Sequence, residues 1–329
     1  MMRLDACLLA ALVASPLAVL PGVVRYAYAE SLSDALAANG AVKPVAMRVA
    51  CGKLDKANCA QVLPRLAQQT AGEHVELKPF ESTGSTESAT GVCLGLVDGA
   101  ILQNDAVDLR ARQPDCAGKV DVVGRPLYPY YGFLVVSAAA PYDTITRLIE
   151  HLPKGKALTV AVGENGSGGA VTMSNLLKYD PAWKAAVATV DYGLETALGR
   201  VKDRSLDGFF VMDAPDSPLI ERITAEKTAD GKPAFKFADV RPSDAFYAVK
   251  DWAGRPMYQE AVVTPGFLRS TKSVSVDAVV VAANQYREDR KAGGPRVVDA
   301  LATAINKASA AIIADTKTPR DWTPASARR

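Results

Sequence analysis

Residues 158–170 read LTVAVGENGSGGA, and this stretch decides the fold. Leu158, Val160 and Val162 alternate as in a buried strand. Gly163, Gly166, Gly168 and Gly169 then break the pattern, and Val171, Met173, Leu176 and Leu177 resume it at helical spacing. A strand that turns through glycines into a helix leaves backbone N–H groups without partners at the helix start. That end carries about half a positive charge, so it suits a carboxylate or a phosphate. Ser167 and Asn165 add side-chain donors. Taken alone, the stretch is equally well a tight strand-to-helix turn that binds nothing.

A second stretch has the same design. Val75 to Phe80 alternates as a strand, Glu81-Ser82-Thr83-Gly84-Ser85-Thr86-Glu87 follows, and Ala89, Val92, Cys93 and Leu96 mark a helix. Hydroxyls are good N-caps and Glu87 falls in the first turn. Ordinary capping explains Ser82 or Thr83 but has less need of the whole cluster. Asp98 to Leu102 forms a third short strand, with Gln103, Asn104 and Asp105 at its C-terminal end. Open α/β sheets bind ligands at such ends, although a helix cap at Asn104 or Asp105 is the plainer role. Asp207 to Met212 repeats the Asp-Gly-apolar pattern and ends in Asp213. The two halves of the chain therefore look alike.

The remaining elements fit around these. Met47 to Ala50 reads as the first strand, and Val62, Leu63, Leu66 and Ala67 mark a helix with Pro64 in its first turn, where proline is tolerated. Tyr128, Tyr130 and Tyr131 lead into a buried strand at Phe133 to Val136. Pro141 to Leu152 reads as a helix, as do Leu194, Ala197, Leu198 and Val201. Phe235 to Val240 is a further strand, and Gly254 to Pro265 a proline- and glycine-punctuated link containing Tyr258. Asp277 to Ala283, DAVVVAA, reads as a buried strand of the parallel-sheet type. Val297, Leu301, Ala304, Ile305, Ala308 and Ile312 mark a long closing helix.

The start of the chain points to export. Arg3, an apolar run from Ala6 to Leu20 and Ala27-Tyr28-Ala29 before Glu30 have the form of a secretory signal peptide cleaved after Ala29. Pro16, Pro21 and Gly22 interrupt a run already short for a membrane span. In the oxidising compartment that export implies, Cys51, Cys59, Cys93 and Cys116 are disulfide candidates. Sequence order suggests Cys51–Cys59 and Cys93–Cys116, though four cysteines allow three pairings. No CxxC or histidine clustering suggests a metal site, and His74 and His151 are isolated in polar stretches.

The net charge of +2 is spread along the chain, which gives no support for a nucleic-acid partner. GxSxG is absent because Asn165 stands where the leading glycine is needed, and GxGxxG fails at Val171. There is no phosphate-binding GxxxxGK[ST]. Neither catalysis nor a bound cofactor is expected.

The order of FESTGSTESATGV, DGAILQNDA, TVAVGENGSGGA and LDGFFVMDAPDSPLI resembles the TAXI solute-binding proteins, the receptors of TRAP-type transporters. The resemblance spans nearly all of residues 45–285. It implies an α/β, two-lobed type II periplasmic-binding-protein fold. Each lobe would be a mostly parallel sheet flanked by helices, with a ligand cleft between lobes joined by crossing strands. Lobe 1 would take residues 43–135 and a return at 277–316, lobe 2 residues 136–276, and 317–329 a mobile tail. The function implied is that of a monomeric periplasmic receptor that delivers a small carboxylate-bearing solute to a TRAP-type membrane permease. Its cleft residues would be Thr83, Gly84, Ser85, Gln103, Asp105, Asn165, Ser167, Gly168 and Tyr258. Lys53, Arg125 or Arg241 could add a charge-assisted contact. The cysteines, and Cys51-Gly52-Lys53-Leu54-Asp55 in the first turn, depart from the family pattern. A sensing or interaction subunit is the alternative from another class, and a periplasmic hydrolase a more distant one.

Overall fold

The computed structural model describes residues 44–52, 62–215, 217–265, 269–287 and 294–315. The expected signal peptide, Lys53, Cys59 and the tail lie outside them. The strands are β1 (Val45–Gly52), β2 (Val75–Ser82), β3 (Gly99–Gln103), β4 (Val120–Val123), β5 (Pro129–Ser137) and β6 (Leu158–Ala161). They continue with β7 (Val187–Val190), β8 (Gly208–Asp213), β9 (Phe235–Ala238), β10 (Tyr258–Val263) and β11 (Thr271–Ala283). The helices are α1 (Leu63–Thr70), α2 (Ser85–Cys93), α3 (Asn104–Ala111), α4 (Ile145–Glu150) and α5 (Gly168–Tyr179). After them come α6 (Pro181–Ala186), α7 (Leu194–Lys202), α8 (Pro218–Ala225), α9 (Asp244–Tyr247) and α10 (Gly294–Asp315). None is long and apolar enough to cross a membrane.

The hydrogen-bonded strand order is β2-β1-β3-β11-β5-β8-β6-β7. Two parallel segments, β2-β1-β3 and β8-β6-β7, flank a central antiparallel pair. Parallel neighbours need helical crossovers, and α1, α2, α5 and α7 supply them. Strand β11 serves both segments. Its residues 278–282 pair with β3, and its residues 271–277 pair with β10 and β5. The expected lobe borders, 135/136 and 276/277, fall inside β5 and β11.

Side-chain alternation along β5 explains how one strand supports two cores. Tyr130, Leu134 and Val136 join a cluster with Met47, Ile101, Phe210 and Val281. Tyr131, Phe133 and Val135 face the other way, onto Val201, Phe209, Ile223 and Phe237. All nine residues of β5 are buried as a result.

Three local expectations need correction. The apolar run at Asp277 to Ala283 belongs to a strand whose partners β3, β4, β5 and β10 are all antiparallel. Its continuous apolarity reflects burial on both faces, which a parallel strand shares. The link containing Tyr258 holds β10, a strand hidden by the prolines and glycines around it. The helix expected at 141–152 is the shorter α4, because Thr144 caps it, its side chain accepting from Arg147 N–H. Pro64 falls in the first turn of α1 as required. Cys93 and Cys116 form a disulfide with Cα atoms 5.2 Å apart. Cys51 is also disulfide-bonded.

Candidate functional site

The C-terminal ends of β1, β2, β3, β6 and β8 meet around a cavity of about 130 Å³. Gly52 and Thr83-Gly84-Ser85 border it from one parallel segment, with Gln103 beside them. Val162, Gly163, Glu164 and Ser167-Gly168-Gly169 border it from the other, together with Gly193, Leu194 and Asp213. Ile101, Tyr130, Phe209, Phe210, Met212 and Leu219 make most of the remaining wall apolar.

The two glycine turns touch. Thr86 N–H donates to the Gly166 carbonyl at 3.1 Å. A side chain at Gly84 would place its first carbon 3.0 Å from the Ser167 Cα, so any larger residue would push the two turns apart by a few tenths of an ångström. At Gly168 the added carbon would overlap the Gln103 amide oxygen. A side chain at Gly168 would therefore require the Gln103 amide to turn.

Ser167 caps α5, where its hydroxyl accepts from Ala170 N–H at 3.2 Å and donates to the Val162 carbonyl at 2.8 Å. That hydroxyl shapes the turn, and Gly168 and Gly169, which open α5, line the cavity at the end where helix N–H groups lack intrahelical partners. On the facing side Gly84, not a hydroxyl residue, is the N-cap of α2. Thr83 instead donates its N–H and hydroxyl to Glu87, which holds the Glu87 carboxyl below its usual range. The pair encloses the start of α2 as a capping box does.

Six of the expected residues, Thr83, Gly84, Ser85, Gln103, Ser167 and Gly168, line the cavity. Asn165 is exposed on the turn, outside the lining. Asp105 and Tyr258 lie behind it in a buried relay. Gln103 Nε2 donates to Thr172 Oγ1 at 3.2 Å, and that hydroxyl donates to Asp105 Oδ2 at 2.6 Å. Tyr258 donates to the same oxygen at 3.0 Å and accepts from Asn175 Nδ2 at 2.7 Å. Burial pushes the Asp105 carboxyl up from 3.8 to about 6, against the pull of the Thr172 and Tyr258 hydroxyls. The same burial, with the Asp105 charge beside it, raises the Tyr258 phenol.

Among the described residues no lysine, arginine or histidine lines this cavity, and Glu164 and Asp213 are its acidic members. Arg241 is paired with Asp239 at 2.7 Å, and Arg125 reaches toward the Asn306 carbonyl at 3.5 Å. Neither arginine is in the lining.

No family model matches the chain, and no curated protein matches it. Solved structures do. The periplasmic sulfonate-binding protein SsuA of Methylobacillus flagellatus superimposes with a TM-score of 0.51 at 16% identity, over 88% of this chain and 77% of that one. XAC2383 of Xanthomonas citri, bound to ATP, gives a TM-score of 0.50 at 11% identity, over 86% and 94%. An L-cystine ABC transporter protein of Listeria monocytogenes gives 0.50 at 9%, over 85% and 99%. The fold is the two-lobed periplasmic-binding fold. At these identities the likeness is one of fold alone.

Sequence reading missed Gly193, Leu194, Phe209, Phe210 and Met212 as lining residues, and missed Thr172 and Asn175 in the relay. Met212 and Asp213 had a usable signal, because they end a strand of the same Asp-Gly pattern as Gln103. Thr172 and Asn175 had none, since both read as ordinary polar positions on a helix.

Proposed function

We propose that this chain is an exported receptor that captures a small carboxylate-bearing solute in the 130 Å³ cavity and delivers it to a TRAP-type membrane permease. The observation that carries this reading is the convergence on one cavity of two helix starts, α2 and α5, from the two parallel segments. Helix starts present N–H groups and positive potential, so they hold a carboxylate without a cationic side chain. The apolar wall of Ile101, Leu194, Phe209 and Met212 takes the carbon skeleton. An engineered cavity of about 150 Å³ admits benzene, so the solute has roughly five or six non-hydrogen atoms.

In this reading residues 43–135 and 277–316 form one lobe and 136–276 the other. The crossing strands β5 and β11 act as the hinge. The contact of Thr86 with Gly166 belongs to the closed form, which bound solute favours by population shift.

The experiment is a thermal-shift screen of the protein from Glu30 onward against small carboxylates, with Gly193→Trp as the blocked variant. Gly193 lines the cavity at φ −60°, where the first carbon of an added side chain meets only Glu164 Oε1, at an ordinary 3.5 Å. The backbone there accepts a side chain, the indole is there to fill the site, and an unchanged Tm without ligand verifies the fold. A ligand at about a thousand times its Kd adds roughly 4 kcal/mol, several degrees in Tm. The expected result is such a shift for one carboxylate class and its loss in Gly193→Trp. A shift retained in the variant would remove the cavity from the argument.

A further inference from the structure

A second cavity, of about 350 Å³, shares no lining residue with the first. It lies between α3, α5 and residues 249–258 and includes Asp105, Asn175 and Tyr258 in its wall. Asp105 is 1% exposed. Its Oδ2 accepts from Thr172 and Tyr258, and the backbone N–H groups of Asp105 and Ala106 also approach the carboxyl, but Oδ1 has no partner at full hydrogen-bond geometry among the described residues. A buried carboxylate oxygen in that state calls for a donor.

The exposed residues of the same cavity call for the opposite charge. Arg112 is held in a bidentate pair by Asp108 at 2.7 and 2.9 Å. Lys178, over the Tyr179 ring at 4.7 Å, and Lys250 line the cavity with no ion pair among the described residues. A ligand with a carboxylate alone would leave Asp105 without its donor, and an amine alone would leave two lysines facing it. A molecule carrying both groups satisfies both ends. We propose that this second cavity is a site for a small zwitterion of the amino-acid type, with its ammonium on Asp105 and its carboxylate toward Lys178 and Lys250.

Titration calorimetry on the full chain tests this with glycine, L-alanine, L-leucine and L-glutamate. Propionate and propylamine serve as the single-charge controls. The variants are Asp105→Asn, the double exchange Lys178→Ala with Lys250→Ala, and Gly193→Trp, which fills the other cavity. Both lysines are exposed, so the double variant keeps its fold, and an unchanged Tm verifies it. The expected result is binding of at least one amino acid, at least tenfold weaker in Asp105→Asn and in the double lysine variant, and within twofold of the parent in Gly193→Trp. Three results would overturn the assignment: no heat with any amino acid, propionate binding as tightly as the best amino acid, or binding lost in Gly193→Trp and kept in the lysine variant. The last would place the amino acid in the first cavity and leave the second to solvent.

Discussion

Asp105→Asn should make the protein more stable at neutral pH. In the folded chain the carboxyl titrates near 6 against an ordinary value of 3.8. At about 1.4 kcal/mol per pH unit, ionising it in place costs the native state about 3 kcal/mol. A group raised on folding adds stability that is complete below its unfolded value and is lost as pH rises through its folded one. The loss therefore runs from about pH 4 to pH 6, and above pH 6 the full cost is borne. Asparagine keeps a carbonyl oxygen for the Thr172 and Tyr258 hydroxyls and never ionises. Its amide nitrogen replaces an oxygen that already lacks a partner, so one unmet buried group is exchanged for another.

The assay is urea unfolding of parent and variant at pH 4.5 and pH 7.5. Carboxylates held low by their partners, such as Asp115 by Arg110 and Glu195 by Arg222, lose stability toward acid in both proteins and cancel in the difference. The advantage of the variant should grow by about 2 kcal/mol between the two pH values, with m-values unchanged. An advantage independent of pH, or one that shrinks as pH rises, would refute the buried-carboxylate argument.

Other outcomes follow from the same geometry. Gly168→Ala drives a carbon into Gln103 Oε1, so the amide must turn and release Thr172; a loss of about 1–2 kcal/mol in calorimetry should accompany loss of the solute-induced Tm shift. Ser167→Ala removes the cap of α5 and should cost about 1 kcal/mol, read as a lower urea midpoint at constant m. Replacing Cys93 and Cys116 together by alanine opens a 23-residue separation and should cost about 3 kcal/mol. Tyr258→Phe removes one donor from the Asp105 carboxylate; the pH window over which stability is lost should then move upward, which the same pair of urea titrations would detect.

Much of this architecture is legible because strand-to-helix turns have local causes. Glycine and a capping hydroxyl must sit where the chain reverses, so Thr83–Ser85 and Ser167–Gly168 declare themselves, and both line the cavity. What stays hidden depends on contacts between residues far apart in sequence. Asp105 and Tyr258 are 153 positions apart, and among the described residues β10 pairs with β11 alone. No periodicity near Tyr258 marks it as a strand, because its pattern is set by the partner it lies against. The same reasoning separates the roles of residues that sequence alone groups together. Gln103 and Asp105 are two positions apart at one strand end, yet only Gln103 lines the first cavity, and Asp105 lines the second. Helix α3 begins between them, and its first turn carries Asp105 away from the strand's end. Thr172, from the facing helix, joins the two side chains by hydrogen bonds of 3.2 and 2.6 Å. Thr172→Val, which keeps the shape and removes that hydroxyl, should therefore cost about 1–3 kcal/mol in urea unfolding, because it leaves the buried Gln103 amide and the buried Asp105 carboxyl each short of a partner.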